Sequence, residues 1–119
     1  MNNGTTSLVH PEIRSIHSPD LEPPNVPADP FDCEIHFHAH IGARETNGEA
    51  SFTFTVITPV RLAKSADPMW GRGRLIMPTF EWAAVAQSLA ALLALSARPT
   101  WNEVTHELNR ELELVEGVS

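Results

Sequence analysis

With 119 residues and a mass of 13.1 kDa, the chain is the usual size of one domain, and residues 1–119 are read as a single unit with no room for a second core. A hydrophobic fraction of 42% against 19% charged belongs to a folded chain, one that at this size buries about two-thirds of its unfolded surface. Fifteen acids against eight bases give a net charge of −7, which repels polyphosphates and removes the counterion release that drives nucleic-acid affinity, so no nucleic-acid partner is expected.

The charge is segregated. Residues 1–34 hold six acids against one base, residues 35–100 four against six, and residues 101–119 five against one. The lone cysteine, Cys33, forms no intramolecular disulfide and no cysteine cage for zinc; it fits a reducing compartment and reads as a buried apolar filler. The chain opens without the basic start and apolar run of a secretory signal. Its longest apolar stretch, residues 83–97, is interrupted by Gln87 and Ser88 and is too short to span a membrane. A soluble, cytoplasmic protein with no membrane partner is the expectation.

Residues 1–10 are small and polar, as in a frayed start, and a short extended segment covers residues 12–18. Five of the ten prolines fall between residues 19 and 30, which excludes helix and makes residues 19–31 an extended connector. Residues 33–41 then alternate, with Cys33, Ile35, Phe37, Ala39 and Ile41 on one face and Glu34, His36, His38 and His40 on the other, the pattern of a half-buried strand. Asn47-Gly48 is a turn pair leading into a second alternating run in which Phe52, Phe54 and Val56 point inward, so the two strands form an antiparallel hairpin. Pro59 ends that strand, residues 61–65 fit one helical turn, Asp67 and Pro68 break it, and Gly71 to Gly73 opens a further strand at residues 74–77.

Thr79 is the expected N-cap of a helix whose Trp82, Val85, Leu89, Leu92 and Leu93 recur at helical spacing between alanines. Thr100 with Glu103 makes a capping box for a second helix, carrying Trp101, Val104, Leu108, Leu112 and Val115 on its apolar stripe. The fold class that follows is α+β: an antiparallel sheet of about four strands with two C-terminal helices packed on one face and polar side chains on the other.

His36, His38 and His40 are the residues that invite a chemical reading. Alternate strand positions lie about 6–7 Å apart, and two such imidazoles can share a tetrahedral zinc if a third ligand comes from another element. A small zinc-binding protein or metalloenzyme is therefore the alternative reading. His106-Glu107 lacks the metalloprotease pattern, since Arg110 stands where its second histidine belongs. No phosphate-binding glycine loop and no nucleophile elbow occurs, so no catalytic residue and no cofactor is assigned. The Gly71-Arg72-Gly73-Arg74 segment reads as turn and strand edge. Glu103, Glu107 and Glu111 recur every four residues, with Glu113 and Glu116 at a predicted helix C-terminus where the macrodipole disfavours them.

The opening Ser15-Ile16-His17-Ser18-Pro19-Asp20-Leu21-Glu22, the Ile41-Gly42 step, the run Ser51-Phe52-Thr53-Phe54-Thr55-Val56, the Trp70-Gly71-Arg72-Gly73 turn and the helix start Arg98-Pro99-Thr100-Trp101-Asn102-Glu103-Val104 together resemble the immunity protein 8 family of bacterial polymorphic-toxin systems. The likeness runs from about Glu12 to Leu114. It departs where the family carries a segment resembling Trp-Glu-Phe and this chain has Leu112-Glu113-Leu114. The resemblance implies a non-catalytic cytoplasmic antidote that binds and blocks the C-terminal domain of a cognate toxin, for which an acidic surface suits a basic enzyme such as a nuclease. On that reading the partner-binding candidates are Glu103, Glu107 and Glu111 first, then Glu45 and Glu49. A homodimer paired through an exposed strand edge is a third reading.

Overall fold

The computed structural model describes residues 7–64 and 71–118. Residues 1–6, the breakers Asp67 and Pro68, and Trp70 of the glycine-rich turn lie outside the described residues; within the start expected to fray, residues 1–10, Val9 is instead buried and exchanges backbone hydrogen bonds with Arg98 at 2.7 and 3.3 Å.

Three strands follow one another along the sheet: β1 (Pro11–His17), β2 (Glu34–Ala43) and β3 (Glu49–Ile57), each antiparallel to the next. Their alternation is the one the sequence dictates. Ile35, Phe37, Ala39 and Ile41 of β2 and Phe52, Phe54 and Val56 of β3 are all buried, while Glu34, His36 and His38 are exposed and Ser51, Thr53 and Thr55 half-buried. Phe37 and Phe54 stack with ring centroids 5.2 Å apart, and the Phe80 and Trp82 rings join the same cluster.

The hairpin loop carries an unexpected use of its glycine. Among the described residues only Gly73 has a positive φ, so Gly48 does not serve as a left-handed turn residue. It serves as a close approach: a Cβ there would lie 2.6 Å from the Trp101 ring. Gly48 is the platform on which the indole packs, and the indole N–H is buried without a partner.

Beyond β3 the chain forms the short helix α1 (Pro59–Ala63), capped by Thr58, and then the brief strand β4 (Arg74–Ile76). Helix α2 (Trp82–Ala94) starts later than the cap signal predicts: Glu81, not Thr79, is its N-cap and makes no side-chain capping bond. Phe80, just before it, is held by donating its N–H to the Pro30 carbonyl at 2.8 Å. Helix α3 (Trp101–Leu108) begins on the expected cap, Thr100 accepting from the Glu103 N–H at 3.2 Å. Val85, Leu89 and Leu93 of α2 and Trp101, Val104 and Leu108 of α3 enter one core with the inward side chains of β2 and β3. Both long helices therefore cover one face and leave the other open.

The predicted second helix is half right. It ends at Leu108, and Glu113–Val118 form a fifth strand, β5, antiparallel to the first half of β3. Asn109 makes the break: its Oδ1 accepts from the Leu114 N–H at 2.9 Å and from Arg72 at 2.6 Å, drawing the chain out of its helix. Leu112, read as a helical stripe residue, is still buried, but from a turn. Glu113 and Glu116 consequently lie on a strand, free of the helix dipole. The sheet is mixed, because β4 runs parallel to the second half of β3. The architecture is α+β with five strands in place of about four and one parallel pair.

Thr58 shows how tightly the pieces are joined. Fully buried, its hydroxyl accepts from the Cys33 N–H at 3.0 Å while its own N–H donates to the Cys33 carbonyl at 3.1 Å, fastening the end of β3 to the start of β2. Thr58→Val keeps the shape and strands a buried donor, so urea denaturation should show a loss of about 1–3 kcal/mol.

Candidate functional site

The open face of the sheet gathers four histidines. His36, His38 and His40 project from β2 as the alternation requires, and His17 of β1, opposite His38 in register, stacks on it with ring centroids 5.2 Å apart. The carboxylates that meet them come from elsewhere in the chain. Asp20, in the proline-rich segment, accepts from both the backbone N–H of His36 at 2.7 Å and lies 2.9 Å from its Nδ1. Glu34 stands 3.9 Å from Nε2 of the same ring, and Glu49 of β3 reaches His40 Nε2 at 2.8 Å.

This arrangement answers the metal reading. Each imidazole is engaged by a different neighbour, so the three do not converge: His36 on Asp20, His38 on the His17 ring and His40 on Glu49. Among the described residues no group of three histidine, cysteine or acidic side chains is placed to hold a metal ion. Cys33 is buried at the head of β2, and burial pushes its thiol pKa up, away from a reactive thiolate. Sequence spacing revealed the row of imidazoles and missed both the His17 stack and the carboxylates, which only strand pairing and the return of residue 20 bring to the face.

The five acids singled out from the sequence fall into three situations. Glu45 takes the backbone N–H and ring of His10, and Glu49 takes His40, so both loop acids are engaged. The His10 N–H holds the Glu45 carboxyl below the ordinary glutamate range. Glu107 is half-buried and bridged to Arg98 at 3.3 Å and Arg110 at 3.5 Å, where the sequence offered Arg110 alone. Glu103, in the first turn of α3, and Glu111, beyond its end, are exposed and form no ion pair among the described residues. The i, i+4, i+8 stripe is thus a helical pair followed by a turn residue.

Glu111 stands beside a crevice in the surface. The crevice, of about 340 Å³, opens between α2, α3 and β4, floored by Phe54, Leu89 and Leu112 and edged by Glu107 and Glu111. No sequence signal marks it, since its walls come from four separate elements. No helix among the described residues is long and apolar enough to cross a membrane.

The Asp20 contact gives a pH signature. The His36 N–H, donating to Asp20, holds its carboxyl below the ordinary aspartate value against the opposing effect of burial. A carboxyl lowered in the folded state stabilises the fold fully above the unfolded value, about pH 4, and that stabilisation is lost as pH falls through the folded value. Asp20→Asn should therefore be less stable than the parent at pH 6 in urea titrations, with the difference shrinking as pH falls below about 4.

A family model, immunity protein 8, matches residues 11–113, from the start of β1 to the start of β5. No curated protein and no solved structure matches the chain. The matched span takes in the whole sheet up to β5 and all three helices, and on that match the chain belongs to the immunity protein 8 family.

Proposed function

We propose that this protein is a non-catalytic antidote that binds the toxin domain of a cognate polymorphic toxin in the cytoplasm and holds it inactive. The family match over residues 11–113 carries this reading. The surface supports it in a second way, through its unbalanced charge. Residues 101–119 contain five acids and one base, and that base, Arg110, is bound to Glu107. Glu103, Glu111, Glu113 and Glu116 are exposed and without ion pairs among the described residues. An uncompensated patch of this kind raises the encounter rate with a basic surface and suppresses acidic competitors. A basic nuclease domain is the partner it suits, the acids standing where the enzyme would hold a phosphate backbone.

The structure divides the candidate acids by availability. Glu103 and Glu111 are free to meet a partner, whereas Glu107, Glu45 and Glu49 would first have to release arginine or histidine. The interface centred on α3 and the turn after it is favoured over the hairpin loop for that reason.

The test is co-expression with the C-terminal domain of the large secreted protein encoded alongside. A one-to-one complex on pulldown together with restored growth is the expected result; a folded protein that neither binds nor rescues would sink the reading. In a measured complex, the double variant Glu103→Gln, Glu111→Gln should slow association and flatten its salt dependence. An unchanged on-rate would remove these acids from the interface while leaving the inhibitor intact.

A further inference from the structure

The acids explain attraction and leave open what fixes the partner in place. Surface charge sets on-rates, whereas tight and specific complexes rest on a few apolar or aromatic anchors seated in pockets. Among the described surface depressions, one has the character of such a seat. The crevice between α2, α3 and β4 has a volume of about 340 Å³, room for one large side chain, and its lining sets Phe54 and a group of leucines beside two serines and three charged side chains. Two other depressions are the polar hairpin around Asn47, where His40 and Glu49 hold one another, and the proline-rich bend around Pro19, where Asp20 is bound to His36.

The crevice has a definite structural origin. Helix α3 is only eight residues long, so it stops before covering the sheet that α2 flanks. The turn after it is pinned to the far side: Gly73 donates its N–H to the Glu111 carbonyl at 2.9 Å, and Arg72 holds Asn109. Ser88 and Ser96 stand on the α2 side where larger residues would have filled the gap. Leu95, at the C-cap of α2, lines the opening with 78% of its surface exposed. An isolated leucine in water is unremarkable, but one at the lip of an apolar cleft extends the surface a partner can bury.

The charges at the mouth name the occupant. Glu107 is neutralised by its two arginines, and Arg74, which also lines the crevice, has a partner of its own. Glu111 is left as the carboxylate without an ion pair at the edge. We propose that this crevice receives an apolar side chain of the toxin domain, carried beside a lysine or arginine that meets Glu111. The inference rests on the immunity reading and adds the anchor point to it. Leu95 and the floor supply burial that slows dissociation, and Glu111 supplies the steering and the register.

The experiment is calorimetric titration of the full chain with the toxin domain, paired with growth rescue and a thermal melt of each variant. Leu95→Arg places a cation at the lip and Ser88→Phe fills the crevice from inside. Both positions are at least partly exposed, so melting temperatures close to the parent are expected. Each variant should weaken binding about 30-fold or more, as loss of an anchor does, while Val26→Arg, exposed beside the start of α2, should bind as the parent does. If the parent binds and rescues but both crevice variants match it, the crevice is overturned as the anchor and the immunity reading stands. If the parent itself neither binds nor rescues, the immunity reading falls and the crevice proposal falls with it. If the parent shows a concentration-dependent mass that Leu95→Arg abolishes while toxin affinity is unchanged, the crevice belongs to a second copy of this chain and the proposal is wrong.

Discussion

The edge of β3 that faces away from β2 is the constraint around which this molecule is arranged. Strand backbone buried in a sheet must pair on both sides, and for β3 the second side is filled by two separate pieces of chain. β5 takes Glu49 to Thr53 and β4 takes Thr55 to Ile57, one antiparallel and one parallel. The parallel piece is only three residues long, so the seam is continued by the turn at Gly73, whose carbonyl accepts from Thr55 and whose N–H reaches Glu111. Gly73 adopts φ +80°, a conformation open to glycine at little cost. The end of α3, the path into β5 and the crevice above them all follow from completing that edge.

This is also where the sequence could be read and where it could not. Alternation over β2 and β3 and the Thr100 cap are local signals, and each names its element correctly. The run Leu108, Leu112, Val115 also has helical spacing, and read alone it continues α3. The decision to leave the helix is taken by partners far away in sequence: the unfilled edge of β3 and Arg72 holding Asn109. A local pattern loses to backbone satisfaction at a sheet edge, which no window of neighbouring residues displays. Gly48 is a similar case, since a turn dipeptide was legible and the indole that needs the missing Cβ, fifty-three positions on at Trp101, was not. Composition alone picked out the candidate acids, while which of them are left without a cation depended on ion pairs visible only in three dimensions.

The histidine face illustrates the same division in chemical terms. Strand alternation alone sets three imidazoles in a row, and a metal is then the obvious thought. What strand pairing adds is a separate companion for each ring. Asp20 and Glu49 lie on opposite flanks of β2, one reaching His36 and the other His40, and the His17 ring covers His38. Partners pulling in different directions prevent convergence on one ion. The result is an open sheet face kept polar by short cross-strand contacts, which is one way to hold an uncovered face in water without inviting another sheet to stack on it.

The acidic character of the C-terminal edge depends on where the cations are spent. Eight lysines and arginines are available, and six of them converge in pairs on just three carboxylates. Arg14 and Arg44 meet Glu12, Arg61 and Lys64 meet Asp32, and Arg98 and Arg110 meet Glu107. Exposed pairs of this kind add little to stability, typically under about 1 kcal/mol each, and at Asp32 the hydrogen bonds from Lys64 and Arg61 are felt mainly as a lowered carboxyl pKa. Their larger effect is electrostatic geography. Two cations on one acid concentrate the available cations at Glu12, Asp32 and Glu107, so other carboxylates are left without one. Glu103, Glu111, Glu113 and Glu116 are exposed and are among those that form no ion pair within the described residues. A basic partner approaching the C-terminal edge meets the unpaired carboxylates of β5 and the turn beside a crevice that Leu89, Leu92 and Leu95 line, and the placement of the cations, as much as the number of acids, decides which carboxylates are left to meet it.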